Sequence, residues 1–249
     1  MSASVVVLVP VYQPGLTPLE QYGLDRSLRQ LKGRMVRLIA PAGLDMAYYQ
    51  ARYPQLPVDR FASPAFESIA EYSRLLLSES FYARYASYDF MLILQTDAVL
   101  LRDALDEWCA QPFDYVGAPW PKPFELFVNT GRFEGDAGRH VRATVGNGGL
   151  SLRRIAKCAA LLREFAVEIA VFQHTGSSED LFFATMGLLS NDFVLPNEVT
   201  ASRFAMEGRP SYYRHINGGH LPMGGHAWNK NEPEFWQAAL GDVPARLVP

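Results

Sequence analysis

The chain has 249 residues, of which 49% are hydrophobic and 20% charged, and its formal net charge is −3. This size suits one large α/β domain or two small ones, and the apolar content excludes a wholly disordered chain. The small net charge, without a basic block, argues against a dedicated nucleic-acid-binding protein. The two cysteines, Cys109 and Cys158, have neither a CxxC nor a zinc-site spacing, which favours a reducing, cytoplasmic environment.

No targeting or membrane-spanning segment is predicted. Residues 1–4 carry no basic side chain and lead directly into a strand-like run, so a secretion signal is not expected. No apolar stretch reaches the roughly 18 residues that a membrane-spanning helix needs. We therefore expect a cytoplasmic protein, and the same pattern is compatible with attachment to the surface of the inner membrane.

The first 110 residues alternate predicted strands and helices, which indicates a largely parallel sheet. Val5 to Val11 is a continuous run typical of a strand buried on both faces. Thr17, Pro18 and Glu20 then have the spacing of a helix start with a capping box. The alternation continues with strands at 36–40, 58–61 and 90–101 and helices at 43–53, 66–85 and 103–109.

One acid ends the most apolar of these strands. The strand that begins at Phe90 carries Asp97 to its carboxyl end, which is where ligands bind in open α/β sheets. A carboxylate among apolar residues is costly unless a metal ion, a set of hydrogen bonds or a sugar hydroxyl pairs with it. Taken alone, Asp97 is about equally well explained as the cap of a nearby turn.

The second half of the chain has a less regular pattern. A strand is predicted at 114–118, and the weak, polar pattern of 127–142 is typical of a mobile loop. The glycine-rich segment 146–149 allows the backbone to approach a ligand closely, although a tight turn explains it about as well. One helix with an apolar face is predicted from 155 to 169, and another from 179 to about 189.

Several residues of this half have both a structural and a functional interpretation. Glu179 and Asp180 either complement the dipole of the helix that they begin or supply a general base. His226 follows two glycines and is a candidate metal ligand, although a lone histidine is more often structural. Trp120 and Trp228 either pack in the core or stack on a sugar face.

In their order along the chain, these segments resemble a GT-A glycosyltransferase. More narrowly, the chain resembles the family DUF5672, over about residues 5 to 230. The resemblance implies an α/β fold with a GT-A-like (Rossmann-type) mixed sheet, mostly parallel, and helices on both faces. It implies one domain over residues 1–249, with a nucleotide-binding half (1–110) and an acceptor-binding half (111–249). The runs that carry the resemblance are Leu92–Leu101, Asp114–Trp120, Gly146–Arg153 and Gly225–Trp228.

The resemblance also implies an activity, namely transfer of a sugar from a nucleotide-sugar donor to a hydroxyl of a carbohydrate or glycan acceptor, as in polysaccharide biosynthesis. Asp180, of the pair Glu179-Asp180, would be the catalytic base of an inverting reaction. Asp97 and His226 would hold Mn²⁺ or Mg²⁺. The donor-binding residues would be Pro10, Val11, Tyr12, Arg74, Gln95, Thr96 and Asp97. The acceptor-binding residues would be Trp120, Asn147, Gly148, Gly149 and Trp228.

One departure from the GT-A pattern concerns the metal. GT-A enzymes usually carry Asp-x-Asp, whereas this chain has Gln95-Thr96-Asp97, with a single carboxylate. Gln95 can serve only as a neutral ligand, so a hard divalent cation should bind more weakly. A positively charged side chain is the alternative partner of the donor diphosphate, and the candidates are Arg74, Arg153 and Lys230.

Three other functions stay open at this stage. A retaining glycosyltransferase would use the same fold without a base on the acceptor side. A non-catalytic carbohydrate-binding module is favoured slightly by the missing second acid. A nucleotidyltransferase ranks last, because the loop 12–15 after the first strand contains no Lys or Arg.

Overall fold

The computed structural model describes residues 3–131 and 138–244. Within these ranges the main sheet has six strands: β1 (Val5–Pro10), β2 (Met35–Pro41), β3 (Val58–Phe61), β4 (Phe90–Leu94), β6 (Tyr115–Val128) and β7 (Arg139–Arg154). Their order is β3-β2-β1-β4-β7-β6. The first four strands are parallel, whereas β7 is antiparallel to both β4 and β6.

A second, three-stranded sheet lies beyond the end of β4. Its strands are β5 (Ala98–Leu100), β8 (Ala205–Met206) and β9 (Gly224–His226), in the order β5-β9-β8. Because β5 follows β4 after three residues, the chain passes from one sheet to the other at Gln95, Thr96 and Asp97.

The helices of the described residues cover both faces of the main sheet. Alternate residues of β1 show this directly, since Val7 belongs to one apolar cluster and Leu8 to the other. The mixed, mostly parallel α/β sheet that the sequence predicted is therefore confirmed. The helices are α1 (Pro18–Gln30), α2 (Ala47–Arg52), α3 (Ile69–Leu76), α4 (Glu79–Arg84), α5 (Leu105–Cys109), α6 (Ile155–Glu164), α7 (Ala166–Thr175), α8 (Glu179–Leu189), α9 (Glu198–Phe204), α10 (Pro210–Ile216) and α11 (Pro233–Leu240), with a 3₁₀ turn at Ser63–Phe66. None of them combines the length and apolarity needed to cross a bilayer.

Two predicted helices are each divided in the structure. The helix expected at 66–85 is α3 and α4, because Ser68 and Ser78 each accept a hydrogen bond from the backbone N–H three residues on and so begin a new helix. The helix expected at 155–169 ends at Phe165, whose backbone leaves the helical region (φ −113°, ψ 36°). The ring of Phe165 is buried in the core, so tertiary packing offsets the lost helical continuity.

The predicted loop at 127–142 is in part a β-hairpin. Antiparallel pairs from Phe124↔Ala143 to Val128↔Arg139 join β6 to β7, outside the part of β7 that pairs with β4. Residues 132–137 of that predicted loop lie outside the described residues. The glycine-rich segment 146–149 is neither a loop nor a tight turn but part of β7, near the point where the pairing with β6 shifts register.

Candidate active site

The segment 95–97 between β4 and β5 is held from two sides. The backbone N–H of Gln95 donates to the carbonyl of Gly149 on β7, at 2.9 Å. The hydroxyl of Thr96 donates to Glu20 Oε1 at 2.7 Å, and Glu20 is the capping-box residue of α1. Asp97, the last residue of the segment, is thus presented at the carboxyl end of β4, where the sequence places it.

His226 reaches Asp97 from the other sheet, because β9 pairs with β5 in the register Ala98↔His226. The imidazole Nε2 is 3.1 Å from Asp97 Oδ1 and 3.1 Å from Gln95 Oε1. The ring lies against Gly149, where a β-carbon would be only 2.3 Å from its Cδ2 and Nε2 atoms. The two predicted metal ligands are therefore brought together, and Gln95 joins them.

The charges around Asp97 and His226 stabilise each other. Burial would raise the pKa of Asp97, but the hydrogen bond and charge of His226, together with Lys230, lower it to about 2. Burial would lower the pKa of His226, but Asp97 and Glu207 outweigh burial and raise it to about 9. Lys230 Nζ is 3.3 Å from Asp97 Oδ2, and Glu207 Oε2 is 3.5 Å from His226 Nδ1. Asp97 and His226 thus each favour the charged form of the other.

The donor atoms of Gln95, Asp97 and His226 fit a divalent cation. His226 Nε2 lies 3.1 Å from both Asp97 Oδ1 and Gln95 Oε1, so one imidazole nitrogen and two oxygens would be available to such a cation. His226 Nδ1 is buried, has no hydrogen-bond partner and faces Glu207, the position of a carboxylate that orients a metal-bound histidine. Within 3–131 and 138–244, no three His, Cys, Asp or Glu side chains form a metal cluster, so a cation at this place would need the Gln95 amide as its third protein donor.

Asp180 lies in the first turn of α8 and faces Gly148, the neighbour of Gly149 on β7. The N–H of Gly148 donates to Asp180 Oδ2 at 3.1 Å, and the N–H of Leu181 donates to Oδ1 at 2.7 Å. The hydroxyl of Ser178 also donates to Oδ1. Burial raises the pKa of Asp180 to about 6, and the charge of Glu179 acts in the same direction, against these hydrogen bonds. Such a carboxylate is suited to accept a proton near neutral pH.

Glu179 is buried in the core. It is 6% exposed and accepts hydrogen bonds from Arg153 Nη2 and the hydroxyl of Ser73, both at 3.0 Å. Arg153 has no exposed surface, so it cannot serve as the diphosphate-binding cation that its charge suggested. Of the pair Glu179-Asp180, only Asp180 remains partly accessible.

Two aromatic side chains flank these carboxylates. Tyr12, two residues beyond β1, is 54% exposed, and its pKa is raised by burial and by the negative charges of Glu20 and Asp97. Trp120 and Asp180 both border Gly146, where a β-carbon would be 3.0 Å from the Trp120 ring and 3.4 Å from the Asp180 carbonyl. Tyr12 thus stands on the Asp97 side of the site and Trp120 on the Asp180 side.

Residues 55–226 match a family model described as a protein of unknown function, DUF5672. The chain belongs to this family. A comparison with curated proteins finds no match.

Among solved structures, this DUF5672 protein is similar to apo mouse xyloside xylosyltransferase 1 (TM-score 0.53, 10% identity, 90% of this chain and 97% of that chain). It is similar to an active-site mutant of LgtC (TM-score 0.53, 15% identity, 97% and 98%). It also matches WbbM, a bifunctional glycosyltransferase (TM-score 0.53, 10% identity), covering 98% of this chain and 50% of that one. At such low identity these matches show the fold, which is that of GT-A glycosyltransferases.

The remaining predicted residues of the DUF5672 protein differ in their relation to the site. Pro10 ends β1, and Val11 follows it and donates its N–H to the Ile39 carbonyl at 2.9 Å. Asn147 Oδ1 accepts from the N–H of Gly149 at 3.2 Å and so lies beside both glycines. Arg74 lies on α3 and bonds to Glu71 and to the carbonyl of Gln173 on α7.

The position of Trp228 does not favour the stacking role expected for it. The indole is 3% exposed and packs against Tyr22, with ring centroids 5.8 Å apart. A buried ring cannot stack on a sugar in this conformation. Glu207, by contrast, is not predicted from the sequence, since no local pattern marks an acid that follows a two-residue strand.

Proposed function

We propose that this DUF5672 protein is a glycosyltransferase that moves a sugar from a nucleotide-sugar donor to a hydroxyl of a carbohydrate acceptor. One observation carries the proposal: two adjacent glycines of β7 contact the residues proposed to bind the donor and the residue proposed to act as the base. The carbonyl of Gly149 accepts a hydrogen bond from the Gln95 N–H, and the lack of a side chain at Gly149 leaves room for the His226 ring. The N–H of Gly148 donates to the Asp180 carboxylate. Gln95 and His226 therefore contact one of these glycines and Asp180 the other, which supports a cation-binding role for the first group and a base role for Asp180.

The donor half consists of Gln95, Asp97 and His226, with Tyr12 and Lys230 beside them. Gln95, Asp97 and His226 would hold Mn²⁺ or Mg²⁺, which, when bound, neutralises the charge of the donor diphosphate. Lys230 adds a positive charge at the same place, 3.3 Å from Asp97 Oδ2, and its side chain is 64% exposed. The exposed ring of Tyr12 provides a surface for the base or ribose of the nucleotide.

The acceptor half consists of Asp180 and Trp120. Asp180 takes the proton of the acceptor hydroxyl while the hydroxyl oxygen forms a bond to the anomeric carbon. The bond from that carbon to the diphosphate oxygen breaks on the opposite face, so the configuration of the sugar inverts. A raised pKa supports Asp180 as the base, because a proton acceptor works best when its pKa is near the operating pH.

Binding and turnover can be tested in sequence. UDP-, GDP-, CMP- and dTDP-sugars are first screened for thermal stabilisation of the full chain, with and without Mn²⁺, since a ligand of the folded state raises its stability. The donor that stabilises the protein is then incubated with glycan acceptors, and the product linkage is read by NMR. We expect one donor to bind and an inverted product to form.

The possible failures have different meanings. If no donor stabilises the protein or turns over, the glycosyltransferase proposal is wrong. Stabilisation by glycans with neither transfer nor hydrolysis of any donor would identify a binding module. A product of unchanged anomeric configuration would identify a retaining enzyme and remove the base role from Asp180. Polysaccharide biosynthesis in the cytoplasm is the setting that we propose for the reaction.

A further inference from the structure

Behind Asp180 lies a buried polar network that the proposed reaction does not use. Arg153 has no exposed surface, and each of its nitrogens has a partner. Nη2 donates to Glu179 Oε1 at 3.0 Å, Nη1 to the Tyr82 hydroxyl at 3.2 Å, and Nε to the Ser151 hydroxyl at 3.1 Å. A fully bonded guanidinium in the core holds its carboxylate partner in one place.

The network reaches Asp180 by two routes. The Ser151 hydroxyl donates to the carbonyl of Gly148, whose own N–H donates to Asp180. Glu179 precedes Asp180 on α8 and also packs against Gly148, where a β-carbon would be 2.9 Å from Glu179 Oε1 and 3.2 Å from Asp180 Cβ. Both carboxylates are therefore packed against a single backbone position of β7.

The charges of this region do not balance. Arg153 supplies one positive charge, and its ion pair goes to Glu179. Asp180 receives hydrogen bonds only from neutral donors, namely a hydroxyl and two backbone N–H groups. Titratable neighbours from other elements are Tyr115 on β6, Tyr72 on α3 and Tyr82 on α4, and burial raises the pKa of all three phenols. These phenols stay neutral, so no positive charge compensates the negative charge of Asp180.

We propose that Glu179 is a positioning residue that, fixed by Arg153 and Ser73, keeps a negative charge behind Asp180 and makes Asp180 a stronger base. Asp180 is then the group that touches the substrate, and Glu179 acts only through it. The raised pKa of Asp180, to which burial contributes most and the Glu179 charge next, agrees with this division of roles. The catalytic consequence rests on the proposed function, whereas the coupling of the two carboxylates does not.

The experiment follows the carboxyl carbon of Asp180 by ¹³C NMR during a pH titration of the full chain, with Asp180→Asn to assign the signal. Glu179→Gln keeps the shape and an oxygen that accepts from Arg153 but removes the charge. We expect the Asp180 midpoint to move to lower pH in Glu179→Gln, and the acidic limb of the transfer rate to move with it. The matched control is Glu234→Gln, the same change at an exposed residue in the first turn of α11, which should leave the midpoint in place.

An unchanged Asp180 midpoint in folded Glu179→Gln would overturn the inference. A wild-type Asp180 midpoint at the ordinary value of an aspartate also overturns the inference, whether or not this variant folds. Failure of the proposed function is recognised separately. Should Asp180→Asn transfer sugar at the wild-type rate, the base role is wrong even if the two carboxylates are coupled. If Asp180→Asn is inactive but the two carboxylates are not coupled, only the role of Glu179 is wrong, and the base role of Asp180 stands.

Discussion

Gly149 and His226 are in direct contact, although they lie far apart along the chain: a β-carbon on Gly149 would be 2.3 Å from the imidazole Cδ2 and Nε2 atoms. A non-bonded carbon cannot approach that closely, so any side chain at 149 must displace the ring. The absence of a side chain at one position of β7 therefore allows His226 to reach Gln95 and Asp97.

We expect Gly149→Ala to abolish Mn²⁺ binding at this site and most of the transfer activity, because the imidazole must leave Gln95 and Asp97. Mn²⁺ binding is measured by EPR and activity by product formation. Gly43→Ala is the control, since a β-carbon there meets only the Ser63 hydroxyl, at 3.6 Å. Normal Mn²⁺ affinity in Gly149→Ala would show that His226 is not a ligand.

Asp180→Asn should lower the transfer rate by about 10²–10⁴-fold, the usual contribution of a general base, while donor binding is preserved. The rate is measured at saturating donor and acceptor, and donor binding by calorimetry. Asp192→Asn serves as the control, because the side chain of Asp192 is 84% exposed. A variant that loses donor binding together with turnover would contradict the placement of Asp180 on the acceptor side.

The pH dependence of the wild-type rate should reflect the same group. A base acts when it is deprotonated, and the pKa of Asp180 is raised to about 6. The rate should therefore fall about tenfold per pH unit below this value and level off above it. Rates at saturating substrate between mildly acidic and neutral pH provide the measurement. A rate that stays constant through this range would argue against Asp180 as the base.

Gln95→Asp should tighten Mn²⁺ binding, on the order of tenfold or more, because a second carboxylate replaces a neutral amide among the ligands of a hard cation. The matched variant Gln95→Ala removes the amide oxygen and should weaken binding instead. Both dissociation constants are accessible by EPR without any turnover. Equal affinities in wild type, Gln95→Asp and Gln95→Ala would place the ion elsewhere or exclude it from this site.

Arg153→Met should destabilise the fold by about 3–5 kcal/mol, because it leaves the buried carboxylate of Glu179 without its ionic partner. Chemical denaturation measures the free energy of unfolding. Arg163→Met breaks a half-exposed ion pair with Glu79 and should change that free energy by less than about 1 kcal/mol. If both variants lose a similar free energy of unfolding, the buried ion pair of Arg153 stabilises the fold no more than the half-exposed pair of Arg163 does.

Local patterns were sufficient for some elements and insufficient for others. The capping box of Thr17 and Glu20 and the helix from Glu179 to Leu189 are confirmed, because short-range hydrogen bonds and apolar periodicity decide them. The helix break at Phe165 is not predicted, because burial of one ring in the core outweighs helix propensity there. The glycine-rich segment 146–149 predicts a turn or loop, because glycine normally marks one, whereas it lies within β7.

The sequence by itself determined the alternation of strands and helices, the position of Asp97 at the end of a buried strand, and the resemblance to DUF5672. Only the tertiary structure decided that His226 meets Gln95 and Asp97, that Glu179 is turned inward while Asp180 is not, and that Arg153 is buried. The reason is that these contacts join distant parts of the chain, His226 and Gln95 being 131 positions apart. The register of β9 on β5 and of β7 on β4 sets such contacts, and no local pattern encodes that register.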